Sequence, residues 1–357
     1  FGSRRLFYGE ETELAVEIVN AKPLPLAWLR AEDDFPNALA LHAVKLAASH
    51  RPGRGRLVNL LSLRWYERVT RRYRLRGTRR GAWRVGPVEL ASGDIFGFAL
   101  RRQTLEESDW VLVYPKLAPL TALGLPARRP FGELRTLRRL VEDPLRLMGT
   151  RDYTPGDSFR HIHWKATAHR QALQTKVFDP SAALPLVIFL NVNTYEFRYE
   201  GVDPELQEFA ISAAASLAHW GWENGSPVGL FVNSIAQPGA QRIRIRPSRR
   251  PDQLLHILEA LAKVVDIGRW PVEAVLQVET PHLPYGASIV VVSAVVTSRL
   301  ADTLLALRER EFGVTLVTLG DKAALDEKTA TLPPSRVRRY HIGGREEWHE
   351  LASLVLA

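Results

Sequence analysis

Residues 185–191 read PLVIFLN, five consecutive apolar residues between a proline and an asparagine. A run of that length with no polar alternation suits a strand buried on both faces of a parallel sheet. Asp203-Pro204 downstream is a helix start, with Asp at the N-cap and Pro in the first turn, and Leu206, Phe209, Ile211 to Ala215 and Leu217 carry an apolar face to Gly221. The same alternation continues with strands at Val228–Asn233 and Arg242–Arg246 (RIRIR) and an amphipathic helix at Asp252–Val265. A strand at Ser288–Val296, a helix at Arg299–Glu311, and strands at Gly313–Leu319 and Arg338–Ile342 complete it. Residues 183–357 are therefore expected to form a doubly wound α/β domain. Ligands of such sheets sit at the carboxyl ends of the strands, which directs attention to Asn191–Glu196 and Ser293–Thr297.

Upstream, the period changes to two. Glu13–Asn20 (ELAVEIVN) alternates Leu14, Val16 and Ile18 with polar residues, and Arg56–Ser62, Trp65–Leu75, Trp83–Leu90, Phe96–Gln103 and Trp110–Tyr114 repeat the theme between Gly- and Pro-containing turns. Short strands at this spacing predict a β-sandwich of immunoglobulin or fibronectin type over residues 1–116. Residues 117–150 read as a Pro-rich connector (PKLAPLTALGLPARRP begins at Pro115) followed by a short helix or irregular arm over Glu133–Met148. The fold class is thus α+β multidomain, a sandwich followed by an α/β domain.

Between connector and α/β domain lies Arg151–Arg170, RDYTPGDSFRHIHWKATAHR. Pro155-Gly156-Asp157 is a turn signature, and the polar residues around it need partners. Arg151 or Arg160 can clamp Asp152 or Asp157 through paired hydrogen bonds, with Trp164 as a core anchor. Arg151, Tyr153, Asp157, Arg160, Trp164 and Lys165 are the candidate binding residues of an ordered loop, and residues 151–182 are expected to pack on the C-terminal domain. His161, His163 and His169 could form a zinc cluster with Asp157, but hydrogen-bonding roles at a junction explain them more simply.

The 357 residues carry a net charge of +9 and no cysteine, which excludes disulfides, thiolate nucleophiles and cysteine-based metal centres. The excess of Arg permits acidic protein, lipid-headgroup or nucleic-acid partners. Arg71, Arg72, Arg74, Arg76, Arg79, Arg80 and Arg84 crowd one stretch, but strand alternation places Arg72, Arg74 and Arg76 opposite Tyr73 and Leu75, the pattern of a solvated face rather than of a nucleic-acid surface. Gly-x-Ser-x-Gly, Walker A, Gly-x-Gly-x-x-Gly after a strand and His-Glu-x-x-His are all missing, so no enzyme is expected. The chain opens on Phe1 and its one methionine is Met148, so an upstream segment is expected.

Phe7–Glu10 (FYGE), Arg80–Trp83 with Val85-Gly86-Pro87, Asp94–Gly97 (DIFG), Val113-Tyr114-Pro115 and the RxYxPGD and WKATA elements of 151–168 occur in one order. In this the chain resembles the bacterial domain of unknown function 58 family, whose C-terminal part is similar to a von Willebrand factor A domain. The resemblance implies a protein anchored by helices ahead of residue 1 at the cytoplasmic face of the cell membrane, with a MoxR-type AAA+ ATPase as partner and no assigned reaction. It also implies where a metal would sit in a von Willebrand A domain: at Asn191, Asn193 and Tyr195, and at Ala294 beside Ser293. Both expected carboxylates are replaced, and neutral groups do not repay the dehydration of magnesium, so no metal and no cofactor are expected. The resulting expectation is a non-catalytic membrane-associated scaffold acting through its von Willebrand A-like domain. A divalent-metal-dependent binding domain or hydrolase is the first alternative, and anionic lipid or nucleic-acid binding the third reading.

Overall fold

The computed structural model describes residues 1–94, 98–126, 147–154, 157, 159–178, 184–284, 286–330 and 332–353. The N-terminal unit comprises β1 (Arg5–Leu6), β2 (Glu11–Val19), β3 (Leu26–Pro36), β4 (Leu39–Leu41), β5 (Ala47–Ala48), β6 (Arg54–Leu63), β7 (Arg68–Gly77), β8 (Gly81–Val85), β9 (Val88–Gly93), β10 (Leu100–Leu105) and β11 (Asp109–Val113). They form sheets of order β2-β7-β4, β10-β9-β3-β6-β5 and β1-β11-β8. One core joins them, with Leu14, Phe35, Leu39, Leu57, Leu75, Val85, Val111 and Val113 buried together. The expected strands are present, although Gly86-Pro87 divides Trp83–Leu90 into β8 and β9, and the strand expected from Phe96 begins at Leu100, with residues 95–97 outside the described set.

Strand β3 is the element that sequence patterning passes over. Its stretch LAWLRAEDDFP carries Arg30, Glu32, Asp33 and Asp34, yet it lies between β6 and β9 in the five-stranded sheet. Arginines meet two of its carboxylates, while Asp33 is buried with no ion pair among the described residues. Arg56 pairs with Glu32 at 2.8 Å and Arg30 with the same carboxylate, while Arg51 and Arg54 hold Asp34 at 2.8 and 2.9 Å.

Residues 147–178 form a ribbon of β12 (Leu147–Asp152) and antiparallel β13 (Gln174–Phe178), with the short helix α1 (Trp164–Arg170) between them. The α/β domain follows as β14 (Leu186–Leu190), α2 (Pro204–Glu223), β15 (Val228–Ala236), β16 (Gln241–Ser248), α3 (Gln253–Ala262), α4 (Val272–Glu279), β17 (Ser288–Ser293), α5 (Ser298–Glu309), β18 (Gly313–Thr318), α6 (Lys322–Thr329), β19 (Arg338–His341) and α7 (Arg345–Ser353). The sheet order is β16-β15-β14-β17-β18-β19, with β16 alone antiparallel to its neighbour.

The apolar run of β14 explains the layers. Leu186, Ile188 and Leu190 pack in one cluster with residues of α2, α3 and α7, whereas Val187 and Phe189 pack on the other face with residues of α4, α5 and α6. Phe189 stacks on Phe231 of β15 at 5.1 Å. Helix α2 approaches β14 so closely at Gly221 that a Cβ there would lie 2.5 Å from Leu186 Cδ2.

The two units meet through named contacts. The connector, expected to be a plain linker, makes a short 3-10 turn at Leu120–Leu123, and its Leu120, Leu123 and Leu125 are buried in the cluster of α2; the arm expected over 133–148 lies outside the described residues except where β12 begins. Arg80 is a correction to the solvated-face reading. Its side chain is only 4% exposed, with Nε 2.9 Å from Glu208 Oε1 of α2 and Nη1 donating to the carbonyls of Leu261, Ala262 and Val264 at the C-terminal end of α3. A cation at that end also complements the helix dipole. Arg5 pairs with Glu259 of α3 at 2.8 Å.

Candidate functional site

Three neighbouring strands of the α/β sheet leave their apolar runs on a polar residue in the same register. Leu190 is level with Val232 and with Val292, so Asn191, Asn233 and Ser293, one residue further, come side by side at the point where strand order reverses between β14 and β17. Such a reversal opens a crevice at the carboxyl edge. Here side chains fill it. Asn191 Nδ2 donates to Ser293 Oγ at 2.9 Å, Asn233 Nδ2 donates to Asn191 Oδ1 at 2.7 Å, and the Val192 amide donates to Asn233 Oδ1 at 2.9 Å. Asn193 Oδ1 accepts from the Gly268 amide at 3.0 Å, fixing the 263–270 loop over the crevice, and Gln207 of α2 donates to the carbonyls of Val192 and Asp266.

Every member of this network is neutral. Asn191 is buried, uses its amide as donor and its carbonyl as acceptor, and has no negative charge to offer a cation. The two nearby carboxylates are committed elsewhere. Asp203 caps α2, its Oδ1 accepting from Glu205 and Leu206 at 3.1 and 3.2 Å, and its Oδ2 pairs with Arg345 at 2.5 Å. Glu196 pairs with Lys328 at 2.7 Å. The donor set does not fit magnesium, and among the described residues no three His, Asp or Glu side chains gather as metal ligands.

Next to the crevice the surface turns apolar. Tyr195 and Ala294, two of the replaced metal positions, line a cleft of about 370 Å³ with Val295, Val296, Ala324 and Leu325. Phe197, also in its lining, and its neighbour Tyr199, both exposed, stack at 5.4 Å between ring centres. A larger cleft of about 910 Å³ continues from Leu206 and Gly320 to His341 and Glu347. Burial and then Lys322 hold His341 below the ordinary imidazole range.

The 151–170 motif folds against itself. Arg151 donates from Nη1 and Nη2 to the two carboxylate oxygens of Asp157 at 2.8 and 2.6 Å, and Asp157 also accepts from the Thr154 amide at 2.9 Å. These bonds hold the Asp157 carboxyl far below the usual range, with the Arg151 hydrogen bond the largest cause. The expected clamp is present; the turn residues Pro155 and Gly156 lie outside the described set, as does the side chain of Arg160. Tyr153 packs on the exposed ring of Phe159 at 5.7 Å. Trp164 departs from expectation. It is 69% exposed rather than a core anchor, because it opens a seven-residue helix that buries none of its residues. Lys165 beside it is exposed too. His163 caps that helix, its Nδ1 accepting from the Ala166 amide.

Sequence reasoning placed Asn191, Asn193, Tyr195 and Ala294 at one edge, and the structure brings them together there. It did not single out Asn233, Gln207, Phe197 or Tyr199. The signal for Asn233 was available, since it closes an apolar strand just as Asn191 and Ser293 do. Arg72 and Arg74 are exposed and Leu75 buried as alternation requires, with Arg72 paired to Glu13.

The family described as "Protein of unknown function DUF58" matches residues 149–333, more than half of the chain, and the chain belongs to that family. Over 260 residues it is 26% identical to "Uncharacterized protein YeaD" of Bacillus subtilis (strain 168), an alignment that takes in 72% of this chain and 59% of that protein. The chain thus spans about three fifths of that relative's length. Among solved structures, the SpRpn10 VWA domain is covered completely by 49% of this chain, at 14% identity and a TM-score of 0.33; an overlap that low supports no argument about function.

Proposed function

We propose that this DUF58 protein is a non-catalytic, membrane-associated scaffold whose α/β domain, read as von Willebrand A-like, presents its carboxyl edge to a protein partner. The observation that carries the reading is the neutral network of Asn191, Asn233 and Ser293 beside an apolar cleft and the exposed aromatics Phe197 and Tyr199. The crevice's amides are spent on one another, and exposed aromatics around an apolar cleft are the composition of a protein-binding surface. The strand order, with its antiparallel edge strand and helices on both faces, supports the doubly wound description. The common core beneath the N-terminal sheets supports the sandwich.

The family resemblance makes a MoxR-type AAA+ ATPase the partner to test and the cytoplasmic face of the membrane the place. No helix among the described residues is long and apolar enough to cross a membrane. Co-purification with a MoxR-type AAA+ ATPase from the same organism tests the partner. The expectation is micromolar or tighter binding, weakened about tenfold by Phe197→Ser with Tyr199→Ser, the loss of an aromatic hot spot. Absence of binding by the intact chain would overturn the partner. A rise in melting temperature with magnesium would overturn the non-metal reading, because a bound ion stabilises the folded state by mass action.

A further inference from the structure

The end of the N-terminal unit remote from the α/β domain carries a feature that no part of this reading uses. Register places three turns there. Val19 lies opposite Arg68, Leu26 opposite Leu63, and both Trp28 and Leu100 opposite Gly93, so the turns around 20–25, 64–67 and 94–99 share one end. Hydrogen bonds tie the first two together, from the Asn20 amide to Glu67, from Tyr66 to Lys22, and from Asn20 Nδ2 to the carbonyls of Leu24 and Arg64. The third is tied to β3 by Trp28 Nε1, which donates to the Asp94 carbonyl. Strand β2 runs from this end to the junction, about 30 Å at the usual rise for its nine residues.

Among the described residues of these turns the large apolar side chains point outward. Leu24 is 71% exposed, Trp65 64%, Tyr66 66% and Phe98 91%, with Val19 and Leu100 about half exposed beside them. The hydrogen bonds that tie these turns run through backbone groups, Asn20, Asp94 and Trp28 Nε1, and use none of the Leu24, Trp65 and Phe98 side chains. The charges are sorted as well. Glu67 turns its carboxylate to the Arg64 amide and Asp94 turns its own to the amides of Phe98 and Ala99, whereas Lys22, Arg64 and Arg101 are exposed and have no carboxylate partner among the described residues.

We propose that this end docks on the surface of an anionic lipid bilayer, Trp65, Tyr66, Leu24 and Phe98 entering the headgroup region and Lys22, Arg64 and Arg101 meeting lipid phosphates. The sorting of charge favours a bilayer over a protein: a uniformly anionic plane attracts outward cations and repels the carboxylates that are turned in. Three separate turns projecting at one tip suit a deformable interface, where Trp and Tyr are at home with their rings in the headgroup layer. The clefts described above lie on the α/β domain. The inference rests on the membrane placement proposed above and not on the ATPase, so vesicle binding and ATPase binding can fail separately.

The test is co-sedimentation of residues 1–357 with phosphatidylcholine vesicles, plain or containing about 30% phosphatidylglycerol, at low salt, where surface electrostatics is strongest. The expected result is sedimentation with the anionic vesicles, reduced about tenfold by Trp65→Ser with Tyr66→Ser, a change that leaves net charge untouched. Lys22→Glu with Arg64→Glu abolishes the preference for anionic vesicles, whereas Arg72→Glu with Arg74→Glu, on the sheet face, preserves the aromatic dependence. Should the first pair fail to fold by circular dichroism, Leu24→Ser with Phe98→Ser serves in its place. No sedimentation with anionic vesicles overturns the proposal. Equal sedimentation of the wild-type and the aromatic-deleted proteins also overturns it, since it reports only the general attraction of a +9 chain.

Discussion

Arg80–Glu208 at the junction and Arg151–Asp157 in the ribbon are the same chemical pair in opposite surroundings. Arg80 is 4% exposed and aims at three carbonyls as well as a carboxylate, whereas the Arg151 side chain is half in solvent and holds the Asp157 carboxylate with good bidentate geometry while also donating to the Asp152 carbonyl. The better geometry belongs to the pair that matters less to the fold. Screening leaves an exposed pair little net energy, while removal of one partner from a buried pair strands the other in a medium that solvates charge poorly. Burial pushes the Glu208 carboxyl up, and Arg80 is the group first in line to pull it back.

The largest effect is therefore expected from Arg80→Met, which keeps the volume and removes the charge. It should destabilise the fold by about 3–5 kcal/mol, the range for a broken buried pair, read as a lower urea midpoint with faster amide exchange across 261–270. An effect no greater than that of substitution at Arg151 would mean that burial is not what separates the two pairs.

A third carboxylate extends the comparison. Asp33 faces the core of the N-terminal unit with no hydrogen bond to Oδ2, and burial raises its carboxyl from 3.8 to about 6. The sign follows from linkage: a raised carboxylate pKa gives the folded state the greater proton affinity, so stability is lost as pH rises from about 4 to 6 and the loss is constant above that. A displacement of this size corresponds to at most about 3 kcal/mol. Asp33→Asn should flatten that part of the stability–pH curve, tracked by thermal melting between pH 4 and 7; an unchanged slope would show that Asp33 is paired or solvated.

These residues also mark where sequence reading stops. Period-two and apolar-run patterns report which face of a strand is buried, and they located β2, β6, β7, β14, β15, β17 and β18. They fail where tertiary pairing supplies what local pattern lacks: β3 looks like a charged loop until Arg51, Arg54 and Arg56 arrive from elsewhere in the chain. Arg80 reads as one more surface arginine because nothing local records that the end of α3 will meet it. The carboxyl-edge crevice was legible from Asn191 and Ser293, and its third member, Asn233, carries the same signal, a polar residue at the end of an apolar run, which sequence reasoning did not single out.

Asn233 tests how much that third member matters. Asn233→Ala removes the acceptor of the Val192 amide and the donor to Asn191, leaving buried polar atoms unmet at a cost of about 2 kcal/mol. Calorimetry should show this loss, and Asn233→Asp should not recover it, because a carboxylate beside Asn191 Oδ1 sets acceptor against acceptor. Recovery by Asp would instead indicate that the crevice tolerates charge and would revive the metal reading.

The smallest effect on stability is expected where the geometry is best. Asp157→Asn removes the charge that Arg151 holds and one of the oxygens shared among Arg151, the Thr154 amide and the Thr154 hydroxyl. Since the ribbon's bonds described here run between its own residues and α1 buries no side chain, the global unfolding midpoint should stay where it is while amide exchange at Thr154 and Asp157 accelerates. The same separation should appear with pH: the Asp157 carboxyl is held far below its usual range, so the clamp should persist through mildly acid conditions that titrate Asp33. Loss of the ribbon's protection together with global stability would show that the ribbon is docked on the rest of the molecule. Loss of protection alone would mark the motif as a locally ordered arm, its Trp164 and Lys165 held out to a partner by a clamp that contributes little to the fold.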